Sequence, residues 1–506
     1  MTRTESLEIE RKYDVGTHEV VPDLTGITGV ARADDGGTVV LEALYFDLPD
    51  RSLLRHGITL RRRRGGKDEG WHTKFPADAD RLEVQVPLSG TGDTPPSEVL
   101  DLVRVHVRNS ALEPVARITT TRTITTLVDA AGTPLIEISD DVVDAEDLTT
   151  GVERSWREWE AEVQGGEPAP DDARQALVDA VEHSWLNAGA APAGSTSKLA
   201  RAMGGQPQLA PVDGKPGSVR NVLTASFRQV AAELVAWDPR VRRHEAGSLH
   251  QLRVKARTLR SMLKTYRPLL EGGPAGELEG QLKSLGRNLS AARDAEVMQA
   301  LIVTRIANRP PGSIPRHGMR RLDKSSAARY QKAYSAVLRD LNSAEYFATL
   351  DALDEFTARV PLKGEKNNGG KAATNLPPAV NRQQEIVVKS AQRASRASDL
   401  DSQLELLHEV RKRSKRLRYA IRSVEGASGF AFGGQVGKSM KSSEKIQDIL
   451  GTHRDSVLFQ EYLLKASRAA RRAGENTFAY GVLHEAENSI QADAERKFRK
   501  SIRKLS

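Results

Sequence analysis

The chain of 506 residues contains no cysteine, few aromatic residues and no long apolar run. The absence of cysteine excludes a disulfide framework and a thiolate metal site, and it fits a cytoplasmic protein. No stretch reaches the roughly 18 uninterrupted apolar residues that a membrane span needs, so we expect no membrane partner. The first residues, MTRTESLEIERK, contain no apolar segment, so we expect no secretory signal.

Charge is distributed unevenly along the chain. Residues 1–215 contain 23 Lys and Arg against 37 Asp and Glu, a balance of −14, whereas residues 216–506 contain 52 against 30, a balance of +22. Such asymmetry indicates two domains with different electrostatic roles. A basic half suggests a nucleic acid ligand, but its few aromatic residues stand mostly at core-like positions and provide poorly for base stacking. We therefore expect nucleic acid only as a non-specific polyanion competitor.

The basic half contains the same pattern twice, at residues 249–264 and 407–422: a histidine followed by four cations. In each copy these residues stand at offsets 0, 3, 7, 10 and 14, which places them in a row on one helical face. An Arg-Asp pair follows each copy. A solvated face is the usual explanation of one such run, but two matched rows indicate a surface that binds a polyanion. The first row is His250, Arg253, Arg257, Arg260 and Lys264, and the second is His408, Arg411, Lys415, Arg418 and Arg422.

Residues 7–165 predict a series of short strands, with one helical stretch near 97–111, and therefore a barrel or sandwich. Period-2 alternation gives each strand one charged and one mostly apolar face. In the simplest interpretation, the charged faces are exposed to water and the apolar faces form the core. The sorting of the charged faces into Glu-x-Glu and Arg-x-Arg strands instead favours a lumen that holds a metal-bound polyanion. The charged faces include Glu8, Glu10 and Lys12, then Arg61 and Arg63, and then Glu158, Glu160 and Glu162.

The N-terminal motifs resemble those of CYTH domains, the triphosphate tunnel metalloenzymes, over roughly residues 5–205. Residues 8–12 resemble the ExExK signature, and residues 45–63 resemble the YFD…G..LRxR segment of that family. The departures are Leu48 in place of the usual Thr and Gln85 in place of an acid, and the second leaves the exact metal ligand set open. Further matches are Thr73-Lys74, Arg81-x-Glu83, Arg122, Glu137, Asp141 and the acidic strand that contains Glu158, Glu160 and Glu162.

This resemblance implies an eight-stranded antiparallel tunnel that binds a triphosphate and cleaves it with Mg²⁺ or Mn²⁺. Residues 197–201 resemble the piece that ends many CYTH domains, where Lys198 is either a cation at the tunnel mouth or a surface lysine. The implied catalytic residues are Glu8, Glu10 and Lys12. The implied phosphate-binding residues are Lys12, Arg61, Arg63, Lys74, Arg81 and Arg122. The implied metal ligands are Glu8, Glu10, Asp141, Glu160 and Glu162.

From residue 219 onward the patterns predict helices throughout, with a polar break at 361–378 between the two cation rows. The rows and their Arg-Asp partners resemble the CHAD domain, the conserved-histidine α-helical domain, over essentially all of 219–506. The resemblance implies two four-helix bundles, about 219–360 and 379–506, that face across a basic channel binding inorganic polyphosphate. Core packing remains the alternative explanation for the two row histidines.

The predicted fold is multidomain: an antiparallel β tunnel of the α+β class at 1–205, a linker at 206–218 and an all-α domain at 219–506. The leading function is a divalent-metal-dependent triphosphatase or polyphosphatase with a polyphosphate-binding helical domain. Two alternatives stay open. One is a non-catalytic, cytoplasmic protein of polyphosphate granules, and the other is an organic-triphosphate enzyme of the thiamine triphosphatase or adenylate cyclase type. Substrate chain length, the choice between Mg²⁺ and Mn²⁺ and the oligomeric state are not indicated.

Overall fold

A computed structural model describes residues 3–77, 80–88, 94–164, 171–195, 197–310, 316–364, 370–397, 400–432 and 434–502. The chain divides into two compact units, Met1–Ala210 and Pro211–Ser506. The domain limits and the two four-helix bundles given above remain predictions. Within the described part of the chain, every helix is too short or too polar to cross a membrane.

The first unit is built on one antiparallel sheet, to which ten strands of the described residues belong. The strands are β1 (Thr4–Glu8), β2 (Glu10–Val15), β3 (Arg32–Asp47), β4 (Thr59–Arg64), β5 (Gly70–Ala77), β6 (Asp80–Pro87), β7 (Glu113–Val128), β8 (Pro134–Asp147), β9 (Val152–Val163) and β10 (Ala191–Pro192). The helices of this unit are α1 (Ser52–Arg55), α2 (Ser97–Val107), α3 (Asp171–Asn187) and α4 (Lys198–Ala202).

The order of the strands shows that the sheet closes on itself. The order is β1-β6-β5-β4-β3-β7-β8-β9-β2-β10, so β1 and β2 lie near opposite ends of the sheet. Only Ile9 separates these two strands in the chain. Because one residue spans at most about 3.6 Å, the sheet must curve until its edges meet. The result is the predicted antiparallel tunnel, in which β1 and β2 together form one interrupted strand beside β3 to β9.

Closure places one face of every strand in the lumen and the other face outside. The outer faces are apolar and pack against helices: Trp159 of β9 lies against Trp185 of α3, and Trp71 of β5 lies in one cluster with Leu102 of α2. The charged faces therefore turn inward, where their side chains line a cavity. The simplest interpretation of these faces, exposure to bulk water, is wrong.

The secondary-structure elements described in the second unit are helices, as predicted. Residues 434–472 form one continuous helix, because an internal glycine such as Gly451 costs a helix only about 1 kcal/mol. The polar break is shorter than predicted, because buried Leu376 and Val380 hold the start of the next helix against the core despite two prolines. The helices are α5 (Val219–Arg242), α6 (Ser248–Thr265), α7 (Gly272–Ala307), α8 (Arg316–Asp340), α9 (Ala344–Ala358), α10 (Ala372–Ser395), α11 (Leu400–Ser428), α12 (Gly434–Arg472) and α13 (Phe478–Ile502).

Trp185 provides a test of the outer core. Its side chain is 0% exposed, and its ring centroid lies 5.4 Å from that of Tyr13 and 5.6 Å from that of Trp159. Trp185→Ala should lower the free energy of unfolding of this unit by about 3–5 kcal/mol, measured by hydrogen exchange of β9 amides. The neighbouring Leu186, which is 43% exposed, supplies the control. Leu186→Ala should change the free energy of unfolding by no more than about 0.5 kcal/mol. Equal effects of the two variants would contradict this packing.

Candidate active site and polyanion cavity

The tunnel encloses a cavity of about 290 Å³ whose wall carries charged residues of both signs. Asp141 is fully buried behind this wall, and the side chain of Glu8 lies outside the described residues. The predicted site residues that line the cavity are Glu10, Lys12, Arg61, Arg63, Lys74, Arg81, Arg122, Glu160 and Glu162. Further residues that line it include Tyr45, Glu83, Glu137 and Lys198.

A dense ionic network occupies one part of the lumen. Asp141, Glu158 and Glu160 offer carboxylate oxygens that all lie within 4.8 Å of one another, an arrangement that could hold a metal ion. The ammonium of Lys198 already lies 2.8 Å from Asp141, 2.6 Å from Glu158 and 2.7 Å from Glu160. Arg122 donates to both oxygens of Asp141, at 2.8 and 2.7 Å, and to Glu160 at 2.6 Å. This acidic cluster is therefore neutralised by the protein's own cations.

Lys12 belongs to the same network. Its ammonium lies 2.6 Å from Glu160 and 3.4 Å from Glu10. Burial lowers the pKa of Lys12, but Glu10 and Glu160 outweigh that effect and raise it. Burial likewise raises the pKa of Glu160, but Lys12, Lys198 and Arg122 hold it well below the usual value. Both groups stay ionised at neutral pH, so an ammonium ion faces the cavity.

A second group of carboxylates is much less neutralised. Glu162 of β9 is paired in register with Glu10 of β2 on one side and with Glu137 of β8 on the other. Burial raises the pKa of Glu162, and Glu10 and Glu137 raise it further, against the opposing effect of Lys74. Among the described residues, the side-chain carboxylates of Glu137 and Glu162 have no hydrogen-bond or ion-pair partner. These three side chains, the acidic row, form the place where a divalent cation would relieve repulsion between carboxylates.

Cations crowd the strands across the tunnel from the acidic row. Burial and the nearby Arg61 lower the pKa of Arg63 to about 9, against the opposing effect of Glu83. Arg61 also donates to the hydroxyl of Tyr45 at 3.2 Å. Arg63 also forms an ion pair with Asp68. Its lowered pKa shows that burial and neighbouring cations outweigh the nearby carboxylates, and a bound phosphate would offset both effects.

Gln85 has a role that its sequence position does not reveal. Its amide donates to the backbone carbonyl of Asp68 at 3.2 Å, and so it holds the loop between β4 and β5. His72, which the sequence pattern leaves as background, is also buried there, and its ring lies 2.9 Å from the same carbonyl and 3.0 Å from Glu83. Burial lowers the pKa of His72 to about 4. The glutamine thus supports the loop and is absent from the described lining of the cavity.

The short helix α4 positions Lys198. Ser197 caps this helix by accepting a hydrogen bond from the Ala200 amide at 3.0 Å, and Leu199 packs into an apolar cluster with inward-facing Tyr45. Lys198 is only 9% exposed, so the alternative of a surface lysine is wrong. The SKxxR resemblance is the one sequence signal for this residue.

Removing Lys198 should unmask the acidic cluster. Lys198→Met leaves Asp141, Glu158 and Glu160 with fewer cations, which should cost about 3–5 kcal/mol of stability at pH 7. In the parent, the lowered pKa of Glu160 contributes stability above about pH 4.5 that is lost as the pH falls through its folded value. In the variant the pKa of Glu160 should rise. The difference in melting temperature between variant and parent should therefore shrink as the pH falls from 7.5 to 5. The exposed Lys67→Met is the control; a deficit that does not depend on pH would contradict the network.

The helical unit encloses a larger cavity, of about 940 Å³. Arg418 and Arg422 are not among its described lining residues: the Arg418 guanidinium lies 5.3 Å from the ring centroid of Tyr419, and Arg422 is exposed. The predicted residues that line it are His250, Arg253, Arg257, Arg260, Lys264, His408, Arg411 and Lys415. Cations that the row pattern does not contain also line it: Arg293, Arg329, Lys412, Arg416, Arg454 and Lys465.

Both row histidines face this cavity and are neutral at pH 7. Burial and the neighbouring Arg454 and Lys412 lower the pKa of His408 to about 4, and Arg454 contacts its ring directly. Burial and Arg293 likewise lower the pKa of His250. The histidines are therefore part of the cationic wall and not of the core.

Fold and sites together define a two-domain chain with a triphosphate-tunnel unit and a cation-lined helical unit. The CYTH domain model matches residues 6–183, and the CHAD domain model matches residues 225–464. Two uncharacterized proteins of Mycobacterium tuberculosis, from strains CDC 1551 and H37Rv, are each 35% identical over 512 residues, which cover 99% of this chain and 96% of theirs. The chain belongs to the family of CYTH–CHAD proteins, and its N-terminal domain belongs to the triphosphate tunnel enzymes.

Several solved structures are similar to part of this chain. The CHAD domain from the plant Ricinus communis has a TM-score of 0.45 and 22% identity, covering 59% of this chain and 96% of that one. PptA from Streptomyces chartreusis has a TM-score of 0.45 and 18% identity, and the match covers 55% of this chain and 97% of that one. A putative adenylate cyclase from Bacillus halodurans has a TM-score of 0.29 and 19% identity, covering 39% and 97%.

Proposed function

We propose that this protein hydrolyses inorganic triphosphate or polyphosphate in its tunnel with a divalent metal ion, and that its helical domain binds the polyphosphate chain. One observation carries the first part. The acidic row on β2, β9 and β8 lies across the closed sheet from Arg61, Arg63 and Lys74 on β4 and β5, around one cavity. Phosphoanhydride hydrolysis requires both signs of charge, since cations must neutralise the phosphate oxygens and carboxylates must hold the metal.

The acidic row fits Mg²⁺ or Mn²⁺, because its carboxylates are the oxygen ligands that these ions prefer, and those of Glu137 and Glu162 have no ion-pair partner among the described residues. Glu10, Glu137 and Glu162 would hold the ion, with Glu8 as a further ligand that the ExExK resemblance implies. A bound ion supplies Lewis acidity and lowers the pKa of a bound water. Asp141 and Glu160, also implied as ligands, instead orient Arg122 and Lys12.

The cations of the tunnel would then bind and orient the substrate. Arg61, Arg63 and Lys74 bind phosphate oxygens, and Arg122 is fixed by two hydrogen bonds to Asp141. Lys12, held charged by Glu160, is placed to neutralise charge that develops at the cleaved bond. Closure of the sheet limits access of bulk water, which strengthens these interactions.

The helical cavity supports the second part of the proposal. Two rows of cations line it, and the carboxylates among its lining residues are few: Asp294, Asp455 and Glu461. A flexible polyanion would neutralise this excess charge by contacts spread along the rows. A polyphosphate held there stays at a high effective concentration for the tunnel of the same chain.

An enzyme for an organic triphosphate is the second candidate. Apolar side chains of β3 and β7 also line the tunnel cavity, namely Val39, Leu41, Ile118 and Ile124, and they could accommodate an organic group. Rates of phosphate release from tripolyphosphate, ATP and thiamine triphosphate, compared at equal metal concentration, distinguish the two candidates.

Loss of the acidic row should abolish hydrolysis. Glu10→Gln combined with Glu162→Gln removes two proposed metal ligands, so metal-dependent phosphate release from tripolyphosphate should fall at least about 100-fold. Glu153→Gln, on the exposed end of the same strand β9, is the matched control and should retain parental activity. Activity within a few-fold of the parent in the double variant, with the fold intact by circular dichroism, would exclude this metal site.

Charge reversal in the first cation row should abolish polyphosphate binding. Because a polyanion can slide to other cations, Arg257→Ala alone should cost only about 1 kcal/mol of binding free energy. Changing Arg253, Arg257 and Arg260 together to glutamate should remove nearly all affinity for long polyphosphate and flatten its salt dependence.

The control for charge reversal changes the same net charge elsewhere in the helical unit. Arg382, Lys389 and Arg393 are exposed on α10 and outside the cavity lining, so their joint change to glutamate should weaken binding only slightly. Affinity is measured by titration at several salt concentrations. Equal losses in the two triple variants would mean that net charge, and not the cavity, determines binding.

A further inference from the structure

One wall of the helical cavity is apolar and offers no favourable contact to an inorganic phosphate chain. We call it the apolar wall: it consists of Val297, Met298 and Leu301 of α7 with Leu458 and Tyr462 of α12. Phosphate oxygens gain nothing from contact with such groups, and placing a bare polyanion against them costs hydration. A ligand that uses the whole cavity must therefore combine phosphates with an apolar part.

The apolar side chains of α7 lie at one end of the first cation row. Helices α6 and α7 run antiparallel, since Arg253 lies 3.3 Å from Ser290 while Lys264 lies 3.0 Å from Glu279. Residues of α7 that follow Ser290 therefore extend past the start of the row, where His250 stands. At 1.5 Å per residue, Leu301 lies roughly 16 Å along α7 from Ser290.

The apolar side chains of α12 lie at the same end of the second row. His408, the first residue of that row, contacts Arg454, while Arg411 lies close to Gly451, where an added Cβ would be 3.1 Å from its guanidinium. These helices are antiparallel too, so Leu458 and Tyr462 extend beyond His408. Both halves of the apolar wall thus adjoin the histidine ends of the two rows, where Arg329 and Lys465 also line the cavity.

Tyr462 is held in place for stacking. Its ring packs at the edge of the core cluster that contains Phe459, and its hydroxyl lies 3.3 Å from that of Ser325. The guanidinium of Arg329 lies 5.8 Å from the ring centroid. The guanidinium lies over the ring, and aromatic faces and guanidinium planes are both groups on which nucleobases stack. Glu461, which also lines the cavity, can accept hydrogen bonds from sugar hydroxyls.

We propose that the helical cavity binds a nucleoside polyphosphate, with its phosphates on the cation rows and its base against the apolar wall at Tyr462. This inference rests on the proposed function, because it uses the same cation rows. It adds an organic head group to the ligand and assigns Tyr462 the recognition of that group. The cavity volume of about 940 Å³ lies within the range of pockets that enclose small organic ligands.

The test compares ATP with tripolyphosphate, which has the same number of phosphates and no base. The full-length chain carries Arg61→Ala and Arg63→Ala, so that the tunnel contributes little, and EDTA prevents hydrolysis. Tyr462→Ala should weaken ATP binding by about tenfold, since loss of base stacking has that magnitude, and should change tripolyphosphate binding by less than about twofold. Tyr462→Phe, which keeps the aromatic face, should restore ATP affinity.

Leu464 supplies the matched control, because it is 47% exposed on the same helix and outside the cavity lining. Leu464→Ala should leave both affinities unchanged. Equal affinities of the parent and Tyr462→Ala for ATP, with tripolyphosphate binding intact, would overturn the nucleoside assignment and leave the proposed polyphosphate site standing. If tripolyphosphate binding does not respond to reversal of the first cation row, the proposed polyphosphate site fails instead. A lowered melting temperature of Tyr462→Ala with parental ATP affinity would also overturn the inference, since it would make Tyr462 a core residue.

Discussion

Ionised side chains that leave bulk water must find counter-charges, and this requirement organises the tunnel. In a closed sheet, every second side chain of each strand faces the lumen. The charged side chains on that face are therefore kept away from bulk solvent. Lys198 meets the requirement around Asp141 and Glu158. Burial and like charges raise the pKa of Glu162 and lower that of Arg63, so a ligand of opposite charge would stabilise the ionised form of each. Charge balance therefore separates the structural part of the lumen from the part suited to a ligand.

The helical cavity meets the same constraint in a different way. Its cations are only partly buried and line a wide opening, so water can hydrate them until a polyanion arrives. Their mutual repulsion still appears in the lowered pKa values of Arg253 and His408, for which burial is the first cause and neighbouring cations the next. A bound polyanion removes that repulsion. A site for reaction needs both signs of charge in fixed positions, whereas a site for retention needs one sign spread over a long surface.

Much of this could be predicted from the sequence, because alternation and helical spacing are local properties. The inward placement of Glu10 and Arg61 follows from period 2, and the row from His250 to Lys264 follows from 3.6 residues per turn. The errors arise where contacts with distant segments of the chain determine which side chains reach a site. Periodicity places Lys412 beside the second row, but only packing between helices decides that it, and not Arg418, lines the cavity. Gln85 carries no local sign of the loop carbonyl that it binds.

Lys198 shows why a local pattern cannot reveal how a charge is used. It lies 38 residues from Glu160 in the chain, on a five-residue helix that is held in place by packing and by contacts with distant residues. A metal ion at that cluster would have to displace an ammonium that makes three short ion pairs. In the acidic row, Glu10 lies 3.4 Å from Lys12 and 4.0 Å from Arg81. The carboxylates of Glu137 and Glu162 have no ion-pair partner among the described residues. Two groups of three carboxylates thus differ in their capacity to bind a metal ion. The deciding factor is how close the protein's own cations lie, and not the sequence motif that contains the acids.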